Sequence, residues 1–199
     1  MQEIFCYLIG AGASCNVLPV ADNFPDKMNE FLCHYNAFRE DLDKQKLTDP
    51  NVSLDPLKYE AHFKESMTWL MAEAKNHTSV DTFAKMLHLT NDENGLARLK
   101  ATLATYLVMA QAMYGTDLRY DGFLATILQH RRFGPPLIPD HIRIVAWNYD
   151  LQLERAFYRY LRNTYGLFQT ITSNPHVKRV NGLAGLEWPG TFSKYTETA

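Results

Sequence analysis

Residues 4–14 read IFCYLIGAGAS, an apolar run that breaks at Gly10 and Gly12. The run from Ile4 to Ile9 hardly alternates with polar residues, which is the pattern of a strand buried on both faces. Strands of that kind belong to parallel sheets. Glycines directly after such a strand let the chain turn sharply and let a ligand approach main-chain N–H groups, while a following helix N-terminus favours phosphate. Gly10–Ser14 therefore reads either as a nucleotide-binding turn or as the plain end of a buried strand. It is not the full dinucleotide fingerprint, because Cys15 stands where a third glycine would be and no acidic residue closes a second strand about 20 residues on. No export signal is expected here: Met-Gln-Glu carries no Lys or Arg, and the apolar run is short for a signal core.

Composition bounds what such a turn can serve. The chain has 199 residues, 46% of them hydrophobic, enough for one large domain or a domain with an insertion. Its 20 basic and 22 acidic residues leave a formal charge of -2, so no overall field recruits nucleic acid or an anionic membrane, and phosphate needs a local site. Arg131-Arg132 beside Phe133 reads as a solvated helix end. No run approaches the ~20 apolar residues of a membrane span. Cys6, Cys15 and Cys33 form no CxxC pair and leave one over in any disulfide scheme. They are too few for a four-cysteine zinc module and read as small buried hydrophobes. A soluble, cytoplasmic protein is expected.

A second strand is IRIVAWN, residues 142–148, preceded by the breaker-rich FGPPLIPDH. A helix follows from about Asp150 through LQLERAFYRYLRNTY, with Leu153, Ala156, Phe157, Tyr160 and Leu161 on one face. LFQTITS gives a third strand and HVKRV a fourth, just before Asn181-Gly182. Between the first two strands the sequence reads helical almost throughout: 24–38, 57–75, 79–89 with Ser79 or Thr78 as its cap, a stripe from Leu96 through Leu99, Leu103, Leu107 and Ala110 to Met113, and 120–132. The expected fold is α/β, a parallel sheet with crossover helices and a large helical insertion, residues 24–133, between the first strand and the strand carrying Asn148. The closing LEWPGTFSKYTETA adds no helix to a second half of the sheet, so residues 1–199 read as one domain truncated at its C-terminus.

Trp147-Asn148-Tyr149-Asp150 ends the second strand. Ligands of open α/β sheets sit on that edge, where Asn148 and Asp150, at alternate positions, can face one pocket. Asparagine can hold a ribose hydroxyl or a water, and aspartate can accept from an amide. The plainer alternative is that Asp150 only caps its helix and Asn148 only closes the strand turn. Asp81 is likewise either a first-turn acid favourable to its helix dipole or a group facing the pocket.

Taken together, GAGAS after the first strand and NYD closing a later one resemble the sirtuin family, whose members carry GAGxS and a later NxD. The WNYD text is most similar to the sirtuin-like NAD-cleaving domains of bacterial defence proteins, and Ser79-Val80-Asp81-Thr82-Phe83 resembles a helical segment of those relatives. The resemblance implies a Rossmann-like NAD-binding domain in which Gly10, Ala11, Gly12 and Ser14 line the phosphates of NAD+. Asn148 would hold the nicotinamide ribose and order the attacking water, and Asp150 would receive the nicotinamide amide; Trp147, read by itself, is expected to pack beneath the site. It further implies NAD+ as substrate, a role in antiviral defence, and either a homo-oligomer or a C-terminal sensor domain outside this chain.

The pattern departs from the deacylating sirtuins at three places. Leu18-Pro19-Val20-Ala21-Asp22-Asn23-Phe24-Pro25 keeps the proline of their Ile-Pro-x-Phe-Arg stretch but lacks its arginine, and the zinc cysteines are missing. Hydrolysis, with water as acceptor, is therefore favoured over protein deacylation. The family's base is a histidine just before a glycine; here Asn181 precedes Gly182, and asparagine cannot act as a base near neutral pH. Asn181 and Gly182 remain as cofactor-binding positions, and His176 is the candidate histidine. A domain that binds NAD+ or ADP-ribose without turning it over is the alternative.

Overall fold

The computed structural model describes residues 3–44, 56–161 and 175–180. Among them the chain is mixed α/β, with three strands and six α-helices: β1 (Phe5–Ile9), α1 (Phe24–Lys44), α2 (Pro56–Ala74), α3 (Val80–Leu89), α4 (Glu93–Tyr114), α5 (Leu118–Ile127), β2 (Ile142–Ala146), α6 (Gln152–Tyr160) and β3 (Val177–Arg179). Contacts divide the chain into two compact units, Met1–Leu18 with Leu107–Ala199, and Pro19–Tyr106. The expected strand over LFQTITS lies outside the described residues, as do Asn181 and Gly182.

The first unit holds the sheet, in the order β1-β2-β3. β2 runs parallel to both neighbours, with Phe5 opposite Ile142, Ile9 opposite Ala146, and Ile144 opposite Val177. β2 alternates: Ile142, Ile144 and Ala146 are buried, while Arg143 and Val145 are half-buried. Its inward face packs with Tyr120, Leu124 and Ile127 of α5 and with Leu153, Ala156, Phe157 and Leu161 at α6. Each large apolar side chain so buried contributes about 1.5–3 kcal/mol.

β1 departs from the expectation of a doubly buried strand. Phe5, Cys6, Tyr7 and Leu8 are exposed and only Ile9 is buried, because among the described residues β1 is the edge of the sheet. An apolar run states what a strand can bury, not which neighbours reach it. The cysteines follow suit: Cys6 and Cys33 are exposed free thiols and Cys15 is partly buried, so they are not the small buried hydrophobes expected.

α5 starts at Asp117, whose carboxylate accepts the Arg119 N–H. It stops at Ile127 rather than Arg132, because Leu128 turns extended and Gln129 pairs with Leu137 in an antiparallel bridge. α4 stops where Gly115 takes a positive φ of 82°, a conformation that favours glycine.

The second unit is helical. Phe31, fully buried, meets Tyr106 edge-on at 5.2 Å and Phe63 at 6.4 Å, with Met28, Met67, Leu70 and Leu99 also buried. α3 begins where Ser79 accepts the Thr82 N–H at 3.2 Å. Asp81 is exposed in its first turn, as a dipole-favoured acid would be. No helix among the described residues is long and apolar enough to cross a membrane.

Candidate functional site

β1 delivers Gly10 in extended conformation, and Ala11–Ser14 close a single 3-10 turn in which the Ala13 N–H donates to Gly10 O at 2.9 Å. A Cβ on Gly10 would come within 3.2 Å of Trp147 Nε1, so a side chain here would require the indole to shift by a few tenths of an ångström. Trp147 therefore lies over the turn and is half exposed, not packed beneath the site. A Cβ on Gly12 would meet open space, and Ala11 and Gly12 are exposed. Their N–H groups precede the turn's first internal hydrogen bond.

Ser14 points the other way. It is buried, and its Oγ donates to Asp150 Oδ2 at 2.7 Å. Tyr120 OH lies 3.0 Å from the same Oγ. Asn148 Nδ2 donates to Tyr120 OH at 3.2 Å and to Ser14 Oγ at 3.4 Å. Asp150 Oδ1 accepts the Gln152 N–H at 3.0 Å, so this carboxylate satisfies the first turn of α6 and ties down Ser14 at once. The plainer reading of Asp150, a residue that serves the start of its helix, agrees with the Gln152 bond. Asn148 Oδ1 is buried and has no hydrogen-bond partner among the described residues, an exception among buried polar atoms that calls for a reason. Burial, reinforced by the Asp150 charge, pushes the Tyr120 phenol up to about 12.

A second layer holds this group from β3. Arg179 Nη1 donates to the backbone carbonyls of Asn148 at 3.1 Å and Asp150 at 3.2 Å, and its Nε donates to Glu154 Oε1 at 2.8 Å. Arg179 Nη2 pairs with the same carboxylate oxygen. Glu154 is buried, its Oε2 has no partner among the described residues, and burial outweighs the attraction of Arg179, so its carboxyl is held above the usual range. On the other flank Asp117 accepts from Arg119, which fixes the guanidinium through two nitrogens, and from the Asn16 N–H at 3.2 Å. The Arg119 hydrogen bond, against the opposing effect of burial, holds Asp117 down to about 2.

Of the residues singled out in the sequence, the structure brings Ser14, Asn148 and Asp150 into contact and sets Gly10, Ala11 and Gly12 beside them. It does not bring His176. That residue precedes β3, on the opposite edge of the parallel sheet, where its Nδ1 lies 2.9 Å from Arg143 Nη1 and its Nε2 3.6 Å from the exposed Asp140. The expectation of His176 as a partner of Asn148 is corrected by strand direction. Tyr120 and Arg179 escaped the sequence reading; the first lay in a stretch read as insertion, and the second in a strand with no motif around it. Among the described residues no three His, Cys, Asp or Glu side chains converge as a metal site requires. Comparison of the chain with protein-family models, curated proteins and solved structures finds no match.

Proposed function

We propose that the protein is a sirtuin-like NAD+ hydrolase with a Rossmann-like fold, cleaving the bond between nicotinamide and ribose. One observation carries the reading. Ser14 of the glycine turn bonds to Asp150 across 136 residues of sequence and lies within reach of Asn148 across 134, at the edge of a parallel sheet where nucleotides bind. Two motifs with no local reason to meet form one cluster, and that cluster retains a buried, unpartnered acceptor in Asn148 Oδ1. A ribose hydroxyl or a water supplies the donor it lacks.

In this reading the open backbone at Ala11 and Gly12 receives phosphate. Ser14, placed among the phosphate-lining residues by the resemblance, instead spends its hydroxyl inside the cluster. Asp150 keeps lone pairs for an amide after accepting one bond at each oxygen. The C–N bond breaks with its electron pair leaving on nicotinamide, water adds to the ribose carbon, and its proton passes to solvent. The oxocarbenium-like state is stabilised by fixed polar groups rather than by a strong base. The expected context is a cytoplasmic effector of antiviral defence, assembled with its own copies or with a sensor domain.

A second reading, binding of NAD+ or ADP-ribose without turnover, is favoured by the position of His176 on the other edge of the sheet. Incubation with NAD+ while free nicotinamide is followed, beside an Asn148→Ala variant, separates the two. Turnover lost in the variant is the result expected of a hydrolase; tight binding by the parent without release of nicotinamide would establish the sensor.

A further inference from the structure

The direction of every hydrogen bond in the cluster follows from a count of protons. Ser14 has one hydroxyl proton, and it goes to Asp150, an acceptor only. The 3.0 Å contact between Ser14 and Tyr120 must therefore run from the phenol to the serine. That uses the phenol's single proton. Tyr120 can then only accept from Asn148, and Ser14 likewise turns a lone pair to it. A carboxamide facing two acceptors must present Nδ2; reversed, it would set Oδ1 against two oxygen lone pairs. The nitrogen is thus held inward and Oδ1 is left on the other side, buried and unpartnered.

We infer that Tyr120, delivered by α5, is a positioning residue that fixes the Asn148 carboxamide so that Oδ1 accepts from a ligand O–H group. For its choice of ligand, a ribose hydroxyl or the attacking water, this rests on the hydrolase reading. The phenol is 3% exposed and its proton is retained throughout the neutral range, so the chain from Asn148 to Tyr120 to Ser14 to Asp150 keeps one polarity. Burial makes the polarity costly to reverse, since any flipped member leaves a desolvated donor or acceptor unpaired.

Tyr120→Phe keeps the ring and removes only the hydroxyl. Its kcat for NAD+ cleavage should fall about a hundredfold, as for a reacting group held out of place, with KM within about twofold. In 15N-labelled protein, the Asn148 side-chain amide protons, assigned by their loss in Asn148→Ala, should exchange with solvent at least about tenfold faster in Tyr120→Phe. A purely structural tyrosine would lower the melting temperature and leave both readouts in place; unchanged kcat with unchanged exchange overturns the inference. If Tyr120→Phe does not fold, the parent decides: a nuclear Overhauser contact between the Asn148 amide protons and the Tyr120 ring supports the role, and its absence overturns it. A parent protein inert toward NAD+ would sink the hydrolase reading alone, and the exchange measurement would still judge Tyr120.

Discussion

At the C-terminal edge of the sheet, Ser14, Tyr120, Asn148 and Asp150 lie buried and bonded to one another, with Arg179 and Glu154 behind them. At the N-terminal edge, His176 sits against Arg143 and an Asp140 that is 94% exposed. Both edges carry charge and hydrogen bonds, yet at the second a partner, Asp140, lies open to water that can take its place. A buried polar group stays folded only if its partners are in place. The C-terminal edge therefore has to be built as a unit from β1, α5, β2, α6 and β3, and its leftover acceptor stands out; the N-terminal edge can lose Asp140 by itself.

The largest test of that difference is Arg179→Ala. It strips the buried Glu154 of the cation that pairs with it among the described residues and frees the carbonyls of Asn148 and Asp150, and removal of one partner from a buried pair costs about 3–5 kcal/mol. Denaturant unfolding measures it, and a loss below about 1 kcal/mol would place this edge with surface ion pairs. The pH dependence has a definite sign. Burial already raises the Glu154 carboxyl, and the variant raises it further. A folded value above the unfolded one gives stability that is present at acid pH and lost as pH rises through the folded value. The variant's deficit should thus be smallest in acid and grow toward neutrality.

Next in size is Asp117→Asn, on the flank that ties α5 to Asn16. The native carboxyl is held down to about 2, mainly by the Arg119 hydrogen bond. A depressed folded value gives stability that is present above the ordinary carboxylate range and lost as pH falls from about 4 to about 2. Because Arg119 is half exposed and screened by solvent, the variant should lose at most about 2 kcal/mol near neutrality. It should match the parent near pH 2. A deficit that persists in acid would mean that the carboxylate acts by shape rather than charge.

The sequence made the meeting of the two motifs legible because both stand where an apolar run ends, and the ends of parallel strands share an edge. Helices α1 to α4 and α6 were legible from apolar periodicity, and α3 from its Ser79 cap. The exposure of β1 was not, since it depends on which segments cover an edge strand. Tyr120 gave no signal because its neighbours mark only a helix start, and its role exists only once α5 lies against Ser14 and Asn148. Arg179 was hidden likewise, one cation in a short strand whose partners lie 25 to 31 residues away. His176 is different: a residue that precedes a parallel strand must lie on the edge away from Asn148 and Asp150, which follow one, and strand direction alone carries that information.

Ser14→Ala sits lower on the scale. It removes the donor to Asp150 Oδ2 and the acceptor of the Tyr120 proton, but Asp150 keeps the Gln152 N–H at its other oxygen. The expected loss is about 1–2 kcal/mol, read from a thermal melt. A loss under about 0.5 kcal/mol would mean that Tyr120 turns its proton to Asp150 and closes the gap.

The smallest effect is expected at His176. Val177 pairs with Ile144, and the residues from His176 to Arg179 span roughly 10 Å at about 3.3 Å per residue, so the imidazole cannot share a proton with a ligand held at Asn148. Its contact with Asp140 is a surface pairing of the kind worth little. His176→Ala should cost no more than about 1 kcal/mol of stability, the size of its hydrogen bond to Arg143, and, on the proposed function, should leave the rate of NAD+ cleavage at the parent's across the neutral pH range. A stable His176→Ala protein that had lost turnover would break the comparison itself, for it would place a proton-transfer group on the edge away from Asn148 and Asp150.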